Sequence, residues 1–169
     1  MKFFSANIDS LRELYINQLR TLLSSEEQIT EALPKMISKA TDTQLKQALQ
    51  SHLQETEVHV ARMEKILSEN GGKADAIRCK ITAALISGAD EMIKDVTDES
   101  VRDAVIIASA QRVEHFEIAS YGTVRNWARI LGENKHAQIL DQTLQEEGHA
   151  DQLLTSISDR VNPYAEKAA

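Results

Sequence analysis

Apolar residues recur at helical spacing along four long segments of this 169-residue chain. The first segment, about residues 7–39, places leucine, isoleucine and tyrosine side chains on one stripe, with Pro34 inside the pattern. Apolar positions three and four residues apart share one face of an α-helix, so each stripe predicts an amphipathic helix. Because proline lacks a backbone N–H, we expect Pro34 to kink this first helix or to end it early.

Turn and capping residues set the expected bounds of the second helix. The letters TDTQ at 41–44 match a capping box, in which Thr41 would bind the first backbone N–H groups. The apolar pattern then runs to about Glu69 and stops at the NGG of 70–72, where glycine disfavours a helix. A helix of this length is long enough to form one side of a bundle.

The third and fourth segments are separated by the short connection GENK. The third helix is expected to begin after Thr97 or Asp98 and to reach Leu131, with Gly132 as its C-terminal stop. The fourth is expected over about 135–159. Such a short connection predicts that these two helices are antiparallel neighbours.

The lengths of the connections predict the topology. Short turns join the first pair and the last pair of helices, whereas residues 73–97 between the pairs are long enough to span a bundle. They contain the amphipathic stretch CKITAALISGADEMIK, a candidate crossover helix. Two antiparallel hairpins joined by one long crossover form an all-α, ferritin-like four-helix bundle. We therefore predict a single domain over 1–160 and a poorly ordered C-terminal tail at 161–169.

Composition supports an all-helical chain and narrows the classes of function. Glycine (6), proline (2) and aromatic residues (4%) are scarce, and a net charge of −7 argues against nucleic acid or an anionic membrane as partner. The longest wholly apolar run, AVIIA at 104–108, is far shorter than the roughly 20 residues of a membrane span. The single cysteine, Cys79, excludes an internal disulfide and favours the cytoplasm. Residues 1–10 lack the apolar core of a signal peptide.

Acidic residues interrupt the apolar stripe of every long helix. An ionised carboxylate buried without a partner costs several kcal/mol, and few lysine or arginine residues share these stripes. Two divalent cations would neutralise four converging carboxylates, so we predict a metal site in the bundle. Its candidate ligands are Glu26 on the first helix, Glu55 and His59 on the second, Glu114 and Glu117 on the third, and Glu147 and Asp151 on the fourth.

Alternatives exist for each of these residues. A single glutamate in an apolar stripe is more often a helix-edge residue, and single histidines such as His52 more often lie at the edge of a core. Glu146 competes with Glu147 because it forms an i, i+3 pair with His149, but the phase of the neighbouring leucines favours Glu147. Tyr121 is interpreted as a core tyrosine with a satisfied hydroxyl, the alternative being a redox or hydrogen-bonding group beside the site.

Four stretches of the sequence form recognisable motifs: EEQITEALPKM (26–36), HLQETEVHVARME (52–64), RVEHFEIASYGT (112–123) and TLQEEGHADQLL (143–154). Through these motifs the chain resembles the YciF/YciE family of bacterial stress-associated proteins, and the resemblance extends through the crossover. It implies a ferritin-like bundle, a homodimer and a di-metal centre. Glu26, Glu55, Glu114, Glu117 and Glu147 match acids of the family motifs, and Asp151 matches a frequent acid.

The third motif is also similar to the Glu-x-x-Glu of rubrerythrins, formed here by Glu114 and Glu117. The Glu-x-x-His pairs common in ferritin-like proteins are absent, since Val58 and Ala150 stand at the histidine positions. His59 occupies a position that is often glutamine in relatives, so the resemblance makes its role as a ligand optional.

Two functions fit these residues. In the first, two divalent ions, iron with manganese or zinc as alternatives, form a centre that oxidises Fe(II) with O₂ or peroxide, because hard carboxylate oxygens stabilise oxidised iron or manganese. In the second, the chain is a non-enzymatic structural or interaction protein of the stress response, whose metal is structural or absent. A DNA-binding ferritin relative is a third class, against which the acidic charge argues.

Overall fold

A computed structural model describes residues 8–71 and 75–167, and all of its regular secondary structure is helical. The five helices are α1 (Leu11–Lys39), α2 (Thr43–Glu69), α3 (Lys80–Asp95), α4 (Glu99–Ile130) and α5 (Asn134–Glu166). The main packing partners are α1 with α2 and α4 with α5, while α3 lies against α1 and α4. This is the predicted ferritin-like bundle of two hairpins joined by a long crossover. Within the two described ranges, no helix combines the length and the apolar character needed to cross a membrane.

Caps and glycine turns account for the ends of α2 and α4. The third helix of the bundle begins as predicted, since the Asp98 side chain accepts hydrogen bonds from the first N–H groups of α4. Gly71 and Gly132 follow α2 and α4 with φ of 73° and 77°, a region that favours glycine. The predicted stops therefore lie where expected, although residues 72–74, and residue 7 at the expected start of the first helix, lie outside the described residues.

The predicted capping box at 41–44 is wrong, because Asp42 and not Thr41 caps α2. The Asp42 side chain accepts a hydrogen bond from the Leu45 N–H at 2.9 Å. Thr41 instead donates its backbone N–H and its hydroxyl to the buried carboxylate of Asp103 on α4, at 2.8 and 2.6 Å. The turn of one hairpin is thereby bound to a helix of the other.

Both internal prolines lie within helices, and one predicted helix end is wrong. The first helix continues through Pro34 and ends at Lys39, as its apolar pattern predicted, so the alternative of an early end at Pro34 is excluded. The last helix continues through Pro163 to Glu166, where we expected an end near 159 and a tail. The extension is stabilised because Val161 is 4% exposed and packs in a hydrophobic cluster with Leu154 and Ile157.

The core consists of two hydrophobic clusters, one toward each end of the bundle. On α1, residues 15–23 belong to one cluster and residues 29–33 to the other, so that Glu26 lies between them. The same interruption occurs on α2, α4 and α5, at residues 52–59, 114–117 and 143–147 respectively. The acidic interruptions of the stripes therefore meet at one depth in the bundle.

Candidate metal centre

Six buried glutamate and histidine side chains lie between the two hydrophobic clusters and are called the polar layer here. They are Glu26, His52, His59, Glu114, Glu117 and Glu147, none of them more than 7% exposed. Helical spacing directs them inward, since His52 and His59 are two turns apart on α2 and Glu114 and Glu117 are one turn apart on α4. Each long helix thus contributes at least one side chain.

The polar layer contains two overlapping groups of potential ligand atoms. In each group, one oxygen or ring nitrogen from every member lies within 4.8 Å of those of all the others. The first group is His52, Glu114, Glu117 and Glu147, and the second is Glu26, His59 and Glu147. Glu147 belongs to both groups, so the two sets of potential ligand atoms are adjacent and have one carboxylate in common.

Several atoms of the polar layer have no hydrogen-bond partner among the described residues. They are Oε2 of Glu26, Glu114 and Glu117, both carboxylate oxygens of Glu147, and Nδ1 of His52 and His59. A buried polar atom without a partner costs about 1–3 kcal/mol, and more when it is charged. Carboxylate oxygens and imidazole nitrogens are ligands that iron, manganese and zinc accept. These residues therefore fit a divalent metal ion.

The two histidines have different electrostatic environments. Burial lowers the pKa of His52 to about 4, so its ring is neutral, and its Nε2 lies 3.3 Å from Glu114 Oε1. Burial also acts to lower the pKa of His59, but the carboxylates of Glu147 and Glu26 outweigh it and raise that pKa to about 11. Its Nδ1 is 3.0 Å from Glu147 Oε1 without the alignment of a hydrogen bond. In the absence of metal, His59 is thus a cation that partly offsets the acids.

Burial and mutual repulsion raise the pKa of Glu114, Glu117 and Glu147. Burial raises the pKa of Glu114, and the neighbouring Glu147 raises it further. Burial likewise raises the pKa of Glu117, with a second contribution from Glu26. The pKa of Glu147 is raised by burial even though His59 acts in the opposite direction.

No lysine or arginine within 8–71 and 75–167 forms an ion pair with the four glutamates of the polar layer. Glu26 and Glu147 lie beside the cationic ring of His59, and Glu114 lies beside the neutral ring of His52. The arginine beside the layer, Arg62, binds Glu146 and the Thr143 hydroxyl. The interpretation of Glu147 rather than Glu146 as the inward residue of α5 therefore agrees with the structure.

Hydroxyl groups hold two of the carboxylates. The Tyr121 hydroxyl donates to Glu26 Oε1, which agrees with its interpretation as a core tyrosine with a satisfied hydroxyl. Burial raises the pKa of this tyrosine. Ser25 Oγ donates to Glu117 Oε1 at 3.4 Å and lies 2.7 Å from the Thr82 hydroxyl of α3. The crossover helix therefore reaches the polar layer through Ser25.

Glu55 and Asp151 lie outside the two groups, although we predicted them as ligands. Glu55 is half-buried and lines a small cavity together with His52 and Glu114. Asp151 Oδ1 accepts a hydrogen bond from Gln111 Nε2 at 3.2 Å and lies 3.4 Å from His115 Nε2. The other five predicted ligands are all members of the groups.

His52 is the group member that the predicted ligand set lacked. It lies seven residues before His59 on α2, which is two helical turns, so both imidazoles face the same side. This seven-residue spacing is the feature of the sequence that indicates an inward position for His52. A histidine in such a position is usually a core-edge residue, and only the convergence of α4 and α5 on it distinguishes a potential ligand from a core-edge residue.

The chain matches a known protein family along most of its length. Residues 10–166 match the family described as a domain of unknown function, DUF892. The chain is also 38% identical to Protein YciF of Escherichia coli strain K12 over 165 residues, which cover 96% of this chain and 99% of YciF.

Solved structures of relatives have the same fold. The crystal structure of the E. coli stress protein YciF superposes with a TM-score of 0.88 at 36% identity, covering 92% of this chain and 99% of that one. YcfI of Rhodopseudomonas palustris, suggested to be a structural protein, gives a TM-score of 0.87 at 41% identity and covers 90% of this chain and 98% of its own. A Xanthomonas campestris protein at 23% identity shares the fold, with a TM-score of 0.75.

Proposed function

The chain belongs to the DUF892 family, and from this premise we propose that it binds two divalent metal ions, with iron as the first candidate, in its polar layer. The observation that carries the proposal is that two groups of buried ligand atoms share Glu147. A shared carboxylate allows two cations to lie close together, as di-metal sites require. Manganese and zinc remain the alternative metals.

The proposed ligands follow from the two groups. His52, Glu114, Glu117 and Glu147 would hold one ion, and Glu26, His59 and Glu147 the other. Glu55 and Asp151 remain proposed additional ligands, because Glu55 lines the cavity beside His52 and Glu114, and the charge of Asp151 contributes to the raised pKa of Glu114.

Charge balance supports two ions rather than one. The polar layer holds four carboxylates, whose ionic contacts within the described chain are to histidines. Two divalent ions carry the opposite charge of four ionised carboxylates, so His59 would lose its proton and bind as a neutral imidazole. One ion would leave two buried negative charges with a single histidine cation.

The activity that we propose for such a centre is oxidation of Fe(II) with O₂ or peroxide in a stress response. A bound Fe(II) pair would supply two electrons, which with two protons reduce O₂ to hydrogen peroxide or one hydrogen peroxide to two waters. The residues of the chain exclude water by burial, hold Glu26 through Tyr121 and hold Glu117 through Ser25. The similarity to the E. coli stress protein YciF supports the physiological context.

A second candidate function is a non-enzymatic structural or interaction protein. Its support is that the pKa of His59 of about 11 leaves a cation among the acids without any metal, and that the related YcfI is suggested to be a structural protein. Under this function, a metal would only neutralise the buried acids.

Iron oxidation distinguishes the two functions. The metal-free protein is loaded anaerobically with Fe(II), mixed with O₂ or hydrogen peroxide, and followed by the absorbance of Fe(III). We expect oxidation faster than in buffer and a large loss in Glu147→Gln, while Glu57→Gln, at an exposed position of α2, behaves like the wild type. Metal binding without accelerated oxidation would favour the structural function.

A further inference from the structure

A small cavity between α2 and α5 leads from the surface to the polar layer. Its volume is about 80 Å³. Buried His52 and Glu114 form its inner wall, and the more exposed Ser51, Glu55 and Leu153 line its outer part. Since a water molecule occupies about 30 Å³ in the liquid, the cavity has room for a few waters or a partly hydrated cation. We call this cavity the α2–α5 inlet.

The lining of the α2–α5 inlet has the chemistry that attracts a cation. It includes the carboxylates of Glu55 and Glu114 and the imidazoles of His52 and His149, but neither lysine nor arginine. His52 and Glu114 each also contain a buried atom, Nδ1 and Oε2 respectively, that has no hydrogen-bond partner in the part of the chain that the structure describes. Half of the lining residues are polar and the others are alanine or leucine, so a cation moving inward would meet carboxylates and imidazoles between apolar side chains.

The approach beside His59 is less favourable for a cation. His59 Nε2 lies 2.9 Å from Glu146 Oε2, which blocks the outer side of its ring. Arg62 binds the same carboxylate and also donates to the Thr143 hydroxyl at 2.9 Å. The guanidinium neutralises Glu146 and repels a divalent cation that approaches from this side.

We propose that the α2–α5 inlet is the route by which a divalent cation reaches His52 and Glu114, with Glu55 at its mouth as the first carboxylate that the cation meets. This inference rests on the proposed function, because a route has meaning only if the polar layer binds a cation. A side chain that only obstructs the route slows loading and release by the same factor. The dissociation constant, which is the ratio of the two rates, stays unchanged.

Substitutions at the mouth of the inlet test the proposal without changing a proposed ligand. Leu153 is 40% exposed, so Leu153→Trp narrows the mouth and Leu153→Ala widens it. Metal-free protein is mixed with Co²⁺ in a stopped-flow instrument and followed by visible absorbance, and release is measured by transfer to a chelator. We expect Leu153→Trp to slow both rates by about tenfold or more with unchanged stoichiometry and affinity, and Leu153→Ala to load no more slowly than the wild type.

Two further variants keep the test decisive. Ile130→Trp is the matched control, because Ile130 is 64% exposed and does not line the inlet, and it should load like the wild type. Ser51→Trp narrows the mouth from the α2 side and replaces Leu153→Trp in the rate measurements if that variant does not fold. Wild-type loading rates in both narrowed variants would overturn the inlet, even if the wild type binds Co²⁺ tightly.

Two other outcomes would also contradict the proposed entry route, and each points to a different cause. An equilibrium titration in which the wild type binds no Co²⁺ removes the proposed function, and the inlet with it, before any rate is measured. A lower affinity in Leu153→Trp without matched changes of the two rates would mean that Leu153 acts on the structure of the site and not on access to it.

Discussion

Glu114 illustrates how burial and charge act on a single residue of the polar layer. Its side chain is 2% exposed, and its Oε2 has no hydrogen-bond partner among the described residues. Its Oε1 lies 3.3 Å from Nε2 of His52, whose ring burial keeps neutral, so no positive charge offsets the carboxylate there. Burial and the neighbouring Glu147 raise its pKa above the ordinary 4.5. Ionisation of Glu114 therefore opposes folding of the metal-free chain, whereas a bound cation would favour the ionised carboxylate.

Glu114→Gln should stabilise the metal-free protein, by roughly 1–3 kcal/mol at pH 8. The unfolded chain ionises Glu114 near pH 4.5 and the folded chain only at higher pH, so the penalty is absent below pH 4.5 and grows as the pH rises through the folded pKa. Glutamine cannot ionise, so the gain should be small near pH 4.5 and larger at pH 8. Urea unfolding of chelator-treated protein at both pH values measures it, with Glu57→Gln as the exposed control. Equal stability of Glu114→Gln and wild type at pH 8 would show that ionisation of Glu114 does not destabilise the metal-free protein.

At the scale of the helix, the apolar pattern predicted the five helices, and local chemistry explains where the prediction failed. Gly132 ends α4 as expected because its φ of 77° favours glycine. The end of α5 was missed because contacts of Val161 within the fold, invisible in the sequence, extend the helix past Pro163. The cap of α2 was misassigned because Thr41 binds Asp103, which is distant in sequence. Likewise, helical phase predicted five members of the two groups of potential ligands, but His52 required the convergence of three helices.

Two glycine substitutions should have opposite effects on stability. Gly88 lies within α3 and Gly132 in the turn after α4, and a Cβ added at either position meets no atom within 4 Å. Gly88→Ala should raise the free energy of unfolding by about 0.5–1 kcal/mol, because alanine favours the helix. Gly132→Ala should lower it by a similar amount, because its positive φ strains any side chain. Thermal unfolding measures both, and a Gly132→Ala variant as stable as the wild type would contradict the turn geometry.

For the whole molecule, the position of the polar layer between two hydrophobic clusters explains how the bundle tolerates buried acids. The apolar clusters on both sides supply the burial that stabilises the fold, so the layer itself need not be stabilising. Such a bundle can remain folded without metal and still provide a preformed site. Apolar side chains also remain on the outside, including Ile81 and Met92 on α3, which are 56% and 42% exposed and lie three helical turns apart on one face.

We predict that the protein is a homodimer and that the exposed face of α3 contributes to the contact. Light scattering at micromolar concentration should give the mass of two chains for the wild type. The double variant Ile81→Glu/Met92→Glu should shift the protein toward the monomer, because it places charge on the apolar face, whereas Ile130→Glu at the end of α4 should not. A monomeric wild type would refute the predicted homodimer. A double variant that remains dimeric would show that the exposed face of α3 is not part of the dimer contact.

In the proposed site, one buried layer binds two metal ions through a shared carboxylate. Anaerobic titration of the chelator-treated protein with Fe(II), followed by elemental analysis of the dialysed product, measures how many ions each chain binds. We expect two equivalents per chain for the wild type, loss of tight binding of one equivalent in Glu26→Gln, and weakened binding of both equivalents in Glu147→Gln, because only Glu147 belongs to both groups. A wild type that binds no Fe(II), or a Glu147→Gln variant that still binds two equivalents with wild-type affinity, would contradict the claim.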